Sequence, residues 1–122
     1  MTLTLGMINF DTSDPESLGQ WWAEQTGAQI VQNHDGGFVV VAGGNLSLLL
    51  AFQKVPDPTP GKNRVHLDVS TPDLEAEVER LQAAGATLVG RRGDESFRWV
   101  TMADPDGNQF CVAAQAEADA SY

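Results

Sequence analysis

The sequence predicts an α+β domain built from paired βαβββ modules, whose two curved mixed sheets surround a cleft. The main observation is an internal repeat: residues 7–28 and 65–86 each run from an alternating strand, through a Pro- and acid-rich start, into a helix that ends in Gly-Ala. About three strand-like runs follow each copy, and a repeat of this kind defines the architecture before any local assignment. A sheet with one face under a helix must bury its other face against a partner module or a ligand. The expected organisation is one domain over 1–122, with module 1 at 3–52, a linker at 53–63, module 2 at 64–114 and a tail at 115–122.

The first module begins with alternating residues from Leu3 to Phe10, which predict a strand. The helix that follows has two possible N-caps. Ser13 with Glu16 has capping-box spacing, whereas Asp14 is followed by Pro, a residue favoured at the first helical position. The other predicted features are a helical face at Leu18, Trp21 and Trp22, a C-cap at Gly27, a hairpin turn at 35–37, and strands at 28–33, 38–42 and 46–52.

The second module follows a linker that contains too many prolines for a helix or a central strand. Thr71 is predicted to cap its helix, with Pro72 at the first helical position. The turn at 104–108 has Pro at its second position and Gly where a positive φ is needed. The remaining features are a buried helical face at Leu74, Val78 and Leu81, a helix end at Gly85, and strands at 64–70, 86–91, 97–102 and 109–113.

Charge and cysteine content restrict the function class. The chain has 7 basic and 17 acidic residues, a net charge of −10, which argues against nucleic acid and against anionic membrane surfaces. The charge favours a cationic or neutral small ligand, although an ordinary acidic surface explains it as well. A single Cys111 permits no internal disulfide and fits a reducing compartment. With no signal peptide and no apolar run near the ~18–20 residues of a membrane span, we expect a cytoplasmic protein.

Strand alternation separates two sets of side chains on strand five. The apolar set, Val65, Leu67 and Val69, is expected to pack under the helix, and the polar set to face the cleft. Within the polar set, His66 and Asp68 are two residues apart, so they are candidates for a catalytic acid–base pair in which the carboxylate fixes the imidazole. The alternative is that both side chains only form hydrogen bonds to neighbouring strands and the linker.

Four further residues are candidate ligand contacts. Lys62 and Arg64 bring local positive charge and could hold an anionic group, or Arg64 could pair with an acid such as Asp68 or Asp11. Cys111 is either a structural thiol or a nucleophile with His66 as its base. Trp99 could stack on a flat ligand, although core packing is the ordinary role of tryptophan.

The motifs resemble those of the vicinal oxygen chelate superfamily, which includes glyoxalase I, bleomycin-resistance proteins, extradiol dioxygenases and fosfomycin-resistance enzymes. The resemblance rests on HLDV at 66–69, on TPDLEAEVERLQAAGA at 71–86 and on DPDGNQFCV at 104–112. The stretch PTPGKNRVHLDV at 58–69 is similar to glyoxalase-like domain proteins. Superfamily members commonly bury sheet edges against a second chain, so the resemblance implies a homodimer, for which Trp21 or Trp22 is a candidate anchor.

The resemblance also implies where a metal would bind. Metal-dependent members place one ligand on each of strands one, four, five and eight, and here those positions hold Met7, a Leu/Ser run at 46–50, His66 and Cys111. One His and one Cys are too few for a catalytic divalent site. We therefore expect no catalytic metal and no cofactor, and we expect Met7 and Asn9 to contact the ligand instead.

Three functions are compatible with these residues. The first is a metal-independent lyase or isomerase of the glyoxalase-like type, which acts on a small molecule with His66 and Asp68. The second is a ligand-sequestering protein of the bleomycin-resistance type, which needs a cleft but no catalytic groups. The third is a domain retained for assembly alone.

Overall fold

The computed structural model describes residues 2–114, and the chain divides into two compact units between Pro60 and Gly61. Each unit contains a strand, a helix and three more strands. The predicted α+β class and its two βαβββ modules are therefore confirmed. The tail predicted at 115–122 lies outside the described residues. Within the described part of the chain, no helix is long and apolar enough to cross a membrane.

The first unit has a four-stranded mixed sheet in the order β1-β4-β3-β2. Strand β1 runs parallel to β4, and the other neighbours are antiparallel. Asp35 (φ 53°) and Gly36 (φ 74°) form the predicted hairpin turn between β2 and β3, because this turn needs two residues at positive φ. The elements are β1 (Met7–Thr12), α1 (Pro15–Thr26), β2 (Gln29–Asn33), β3 (Phe38–Ala42) and β4 (Leu49–Lys54).

The second unit repeats this topology with the order β5-β8-β7-β6. Strand β5 runs parallel to β8, and β8, β7 and β6 are antiparallel. The elements are β5 (Asp68–Thr71), α2 (Leu74–Ala83), β6 (Thr87–Gly93), β7 (Arg98–Ala103) and β8 (Gln109–Ala114).

The junction between first strand and helix is the same in both units. Thr12 and Thr71 end β1 and β5, and both are buried. Each hydroxyl accepts a hydrogen bond from the backbone N–H two residues later, of Asp14 (3.1 Å) and Asp73 (3.5 Å). These aspartates cap the helices by accepting the N–H of the residue three positions further on. The shared junction therefore defines which residues of the two units correspond to each other.

One N-cap prediction is wrong. Thr71 does not cap α2, because it still belongs to β5 and pairs with Ala114. Asp73 is the cap, so Pro72 precedes the helix instead of starting it. In the first helix, the Asp14 alternative is confirmed, with Pro15 at the first helical position.

Helix α1 covers its sheet closely. It packs on β2, β3 and β4, and a Cβ built on Gly19 would lie only 3.0 Å from Val39, so the small residue permits close approach. Trp21 and Trp22 are 8% and 3% exposed, with their rings 5.0 Å apart in an edge-on contact. Both tryptophans are buried because a helix packed this closely on its sheet buries more than one of its faces. Neither tryptophan is therefore available as an intermolecular anchor.

The second core is smaller. Helix α2 packs on β6 and β8 through Val78 and Leu81, over Val100, Met102, Phe110 and Val112. The predicted burial of Val65 is wrong: its side chain is 78% exposed. The reason is that β5 begins at Asp68, not at Arg64, so alternation does not yet govern residue 65.

Two more boundaries differ from the sequence predictions. Strand β1 spans Met7–Thr12 where 3–10 was expected, and β4 spans Leu49–Lys54 where 46–52 was expected. The predicted linker therefore starts inside β4. Gly43 and Gly44, both at positive φ, prolong the turn before β4 and delay its start.

Candidate functional site

Four residues predicted from the sequence share one open cavity in the second unit: His66, Asp68, Trp99 and Cys111. Its volume is about 510 Å³, which lies within the range of small-molecule sites. The lining is mostly apolar, with few polar groups. The remaining lining residues are Val69, Ser70, Phe97 and Ala113.

Strand pairing explains why these side chains meet. Asp68 lies directly opposite Cys111, and Cys111 lies opposite Thr101 on the next strand. Paired residues project from the same face of a sheet, so the polar row crosses three strands. The neighbouring row, with Val100 paired to Val112, faces α2 and forms the core.

His66 and Asp68 are neighbours at the cavity. The imidazole Nδ1 lies 3.7 Å from the Asp68 Oδ1, with side-chain exposures of 42% and 78%. This separation is longer than a hydrogen bond, but it is close enough for attraction once the imidazole is protonated. Both groups are accessible to a molecule in the cavity.

Cys111 is half-buried between its two neighbours. Its thiol lies 3.7 Å from the Thr101 Oγ1, and its backbone N–H donates to the Leu67 carbonyl at 2.9 Å. That backbone bond continues the parallel pairing one residue before β5 begins. It therefore holds the segment that contains His66 beside β8.

Asn63 fixes the same segment from its other end. Its Oδ1 accepts the Gln109 N–H at 2.7 Å, and its Nδ2 donates to the carbonyls of Gln109 and Val65. Three hydrogen bonds from one amide fasten the chain three residues before His66 to the start of β8. Sequence reasoning missed this role, because the partners are separated by 46 residues.

Phe97 and Trp99 form the aromatic wall of the cavity. Their rings are 5.7 Å apart and inclined by 36°, and Phe97 is 48% exposed. Trp99 is half-buried, so the structure gives it a cavity face and not only a core role. Sequence reasoning assigned Phe97 no site role, although its position two residues before Trp99 in the predicted strand at 97–102 was the available signal.

The turn before Phe97 is held by Asp94. Its Oδ1 accepts hydrogen bonds from the Ser96 hydroxyl and backbone N–H and from the Phe97 N–H. The Ser96 hydroxyl, followed by these backbone donors, lowers the pKa of the Asp94 carboxyl below its ordinary value. This turn therefore positions the outer half of the aromatic wall.

The other predicted contacts lie elsewhere. Lys62 and Arg64 are exposed and do not line the cavity, and Arg64 forms no ion pair with an acid among residues 2–114. Met7 and Asn9 lie on β1 of the first unit, where the Asn9 Nδ2 donates to the Gln53 Oε1 at 3.0 Å.

The register between the copies shows what replaces the site in the first unit. Counting back from Thr12 and Thr71, Met7 corresponds to His66 and Asn9 to Asp68. Ala51, paired with Asn9, then corresponds to Cys111, paired with Asp68. The first unit thus has a thioether, an amide and a methyl group where the second has an imidazole, a carboxylate and a thiol.

The residues at these positions do not match the metal ligands that the resemblance implies. In the first unit, Met7 and the paired Leu49 offer no imidazole or carboxylate. In the second unit, one nitrogen, one oxygen and one sulfur, from His66, Asp68 and Cys111, lie within 4.8 Å of one another. A mixed N/O/S set is unsuited to Mg²⁺ or Mn²⁺, which prefer oxygen ligands. The sequence analysis counted one His and one Cys as candidate metal ligands and left out Asp68.

Comparison with known proteins defines the class. The family model described as glyoxalase-like domain matches residues 7–113, so the chain belongs to the glyoxalase-like domain family. A search by sequence among curated proteins found no match.

Solved structures have the same fold at low identity. A glyoxalase/bleomycin resistance protein/dioxygenase family enzyme from Burkholderia phytofirmans PsJN superposes with a TM-score of 0.76 at 18% identity, covering 92% of this chain and 98% of its own. The fosfomycin resistance protein FosX from Mesorhizobium loti gives 0.71 at 17%, covering 95% of each chain. A bleomycin resistance determinant encoded on the transposon Tn5 gives 0.66 at 17%, covering 94% and 100%. These likenesses show that the chain has the same fold as these proteins.

Proposed function

We propose that the cavity of the second unit binds a small organic molecule and that His66 and Asp68 act there as an acid–base pair, in a metal-independent reaction of the lyase or isomerase type. The observation that carries the proposal is the pairing of an accessible imidazole with a carboxylate 3.7 Å away, in a cavity with an aromatic wall. Apolar walls with a few convergent polar groups are the usual composition of small-molecule sites.

The proposed chemistry is proton transfer. In an isomerisation, His66 takes a proton from the carbon next to a carbonyl and returns it to another atom of the same molecule, so no proton is gained or lost overall. The Asp68 carboxylate stabilises the imidazolium that exists between the two transfers, because opposite charges at this distance attract. Trp99 and Phe97 would orient the substrate by stacking against its flat part.

The alternative proposal is a protein that sequesters a ligand without changing it. Two observations favour it: Asp68 is 78% exposed on its side chain, and no hydrogen bond joins it to His66, so the pair is not rigidly set for catalysis. The net charge of −10 would attract a cationic compound. The similarity to the bleomycin resistance determinant is compatible with this function.

A ligand screen followed by a turnover assay distinguishes the two. A panel of carbonyl-containing metabolites and cationic drugs is scored by thermal shift against the wild type, His66→Ala, Asp68→Asn and the control His34→Ala. His34 is an exposed histidine of the first unit and does not line the cavity, so its loss should not alter binding there. Each ligand that raises the melting temperature is then incubated with the protein and followed by NMR for chemical change.

The outcomes are distinct. Turnover that His66→Ala abolishes and His34→Ala leaves intact supports the enzyme. Binding without turnover, weakened by His66→Ala, supports sequestration. Ligands whose binding is the same in wild type and His66→Ala would contradict both proposals.

We also propose a homodimer in the cytoplasm. Val31 and Val89 support the dimer: they are 54% and 41% exposed and lie at irregularities of β2 and β6, which are edge strands of their sheets. Apolar groups at sheet edges favour pairing with another chain. Sedimentation at micromolar concentration should give about twice the chain mass, and a 13.1 kDa species would contradict the dimer. The single cysteine supports the reducing location.

A further inference from the structure

We infer that His66, Asp68 and Cys111 form a site for one thiophilic divalent ion of the Zn²⁺ or Cd²⁺ type. The site would lie within the second unit and would differ in its donors from the four-ligand arrangement of metal-dependent relatives. The inference does not rest on the proposed reaction, because the ion takes no part in it. Ion and substrate would instead share His66 and Asp68.

The geometry of the three donors is the first argument. Their ligand atoms lie within 4.8 Å of one another, and the His66 Nδ1 to Asp68 Oδ1 distance is 3.7 Å. A tetrahedral ion with bonds of about 2.0–2.3 Å holds its ligand atoms about 3.3–3.7 Å apart. Small side-chain rotations would bring the three atoms to that spacing. All three side chains are exposed or half-buried, so these rotations are not blocked by core packing.

The chemistry of the donors selects the ion. A thiolate and an imidazole are the ligands that zinc-like ions prefer, and the carboxylate adds a third. Three protein ligands leave a fourth position open to water or to a molecule in the cavity. The thiolate and the carboxylate together carry two negative charges, which a divalent ion neutralises.

The surroundings do not oppose a cation. Apart from His66 itself, no basic residue among residues 2–114 lines the cavity, and Lys62 and Arg64 lie outside it. The strand pairings that align Asp68 with Cys111, and Cys111 with Thr101, hold the donors on one face of a sheet. The first unit, with Met7, Asn9 and Ala51 at the corresponding places, offers no equivalent site.

The test is an optical titration of chelator-treated protein with Cd²⁺ and then Zn²⁺. Cd²⁺ bound to Cys111 should produce an ultraviolet thiolate-to-metal charge-transfer band that saturates at one equivalent. The thiol must lose its proton to bind, so the titration should also acidify a weakly buffered solution. Zn²⁺ should displace Cd²⁺ and remove the band, whereas Mg²⁺ in excess should not.

Four variants locate the ion. Cys111→Ser should abolish the band. His66→Ala and Asp68→Asn should retain a band but weaken Cd²⁺ affinity at least ~10-fold each, because each removes one ligand. His34→Ala should titrate like the wild type. Circular dichroism confirms that each variant is folded before it is titrated.

Two results would overturn the inference. One is the absence of a charge-transfer band in the wild type. The other is a band with equal affinity in the wild type, His66→Ala and Asp68→Asn, which would mean that the thiol binds Cd²⁺ alone. A one-equivalent band that depends on all three residues supports the site even if no organic ligand is found, so this result and the ligand screen can fail separately.

Discussion

The two units share a topology but differ in what they do with it. The first unit has the more extensive aromatic core. The ring centroids of Phe10 and Phe52 are 4.9 Å apart, and both tryptophans of α1 are buried. The second has a lighter core and a cavity on the other face of its sheet. At corresponding positions, His66 replaces Met7 and Asp68 replaces Asn9.

The difference lies in a polar row that is hydrogen-bonded within the first unit and accessible in the second. In the first unit, the Asn9 amide donates a hydrogen bond to the Gln53 side chain, so these two polar groups are partnered within the unit. In the second unit, the residue that corresponds to Gln53 is Ala113, which cannot form a hydrogen bond with its side chain. The Asp68 carboxylate therefore remains available to His66 and to a ligand.

The largest expected effect concerns the two cores. Phe52 and Val112 occupy corresponding places, and both are fully buried. Phe52→Ala should lower the free energy of unfolding by about 3–5 kcal/mol because of its cavity, and Val112→Ala by about 1.5–3 kcal/mol. Denaturant unfolding followed by circular dichroism measures both. An equal or larger cost for Val112→Ala would show that the first unit is not the more strongly packed one.

The next effect concerns a turn that only the second unit has. Asp104 is 3% exposed, and its Oδ1 accepts the backbone N–H groups of Asp106 and Asn108. Asp104→Ala leaves these donors without their acceptor and should cost about 2–3 kcal/mol, whereas Asp104→Asn, which keeps one acceptor oxygen, should cost less. The same unfolding experiment applies. A neutral Asp104→Ala would mean that water replaces the carboxylate fully.

The helix caps should behave alike. Asp14 and Asp73 accept N–H groups at 3.1 and 3.2 Å, in the same junction. Asp14→Ala and Asp73→Ala should each cost about 1 kcal/mol. If only one of the two substitutions is destabilising, the equivalence of the junctions, and with it the register between the copies, is wrong.

The smallest effect is a titration at the aromatic wall. Because hydrogen bonds lower the folded-state pKa of Asp94, its contribution to stability is present above the unfolded-state pKa and is lost as the pH falls through the folded-state value. Ser96→Ala removes the main cause and should raise the Asp94 pKa toward its ordinary value. NMR titration of the carboxyl carbon measures the shift. An unchanged pKa would show that the Ser96 hydroxyl is not the main cause.

Patterns local in sequence predicted most of the fold. The repeat, the two helices and the hairpin at Asp35-Gly36 followed from periodicity and turn chemistry, and the Gly27 C-cap is confirmed at φ 69°. Burial depended on more distant contacts. Val65 is exposed because β5 starts three residues later, and Trp21 is buried because Gly19 lets α1 approach its sheet.

The candidate site was also predictable only where it depends on residues that are close in sequence. Alternation placed His66 and Asp68 together, since they are two residues apart on one segment. The alignment of Asp68 with Cys111, 43 positions later, depends on strand register, which the sequence does not state. The anchoring of this segment by Asn63 likewise depends on a partner far along the chain.

We propose that the second unit carries the functional site, and a comparison of dissociation constants tests this proposal. The dissociation constant of the strongest ligand from the screen is measured by calorimetry for the wild type, His66→Ala, its counterpart Met7→Ala and the control His34→Ala. Met7 remains a predicted ligand contact, but a thioether supplies only dispersion, whereas the imidazole of His66 can hydrogen-bond and carry charge.

We expect His66→Ala to weaken binding ~10-fold or more, because leaving a polar group of the ligand without its hydrogen-bond partner costs about 1–3 kcal/mol. Met7→Ala should weaken binding by no more than ~3-fold, and His34→Ala should have no effect. His66→Ala should also keep a melting temperature close to that of the wild type, since its side chain is 42% exposed. A larger loss for Met7→Ala than for His66→Ala, or a His66→Ala variant that unfolds while its folded fraction binds normally, would contradict the account.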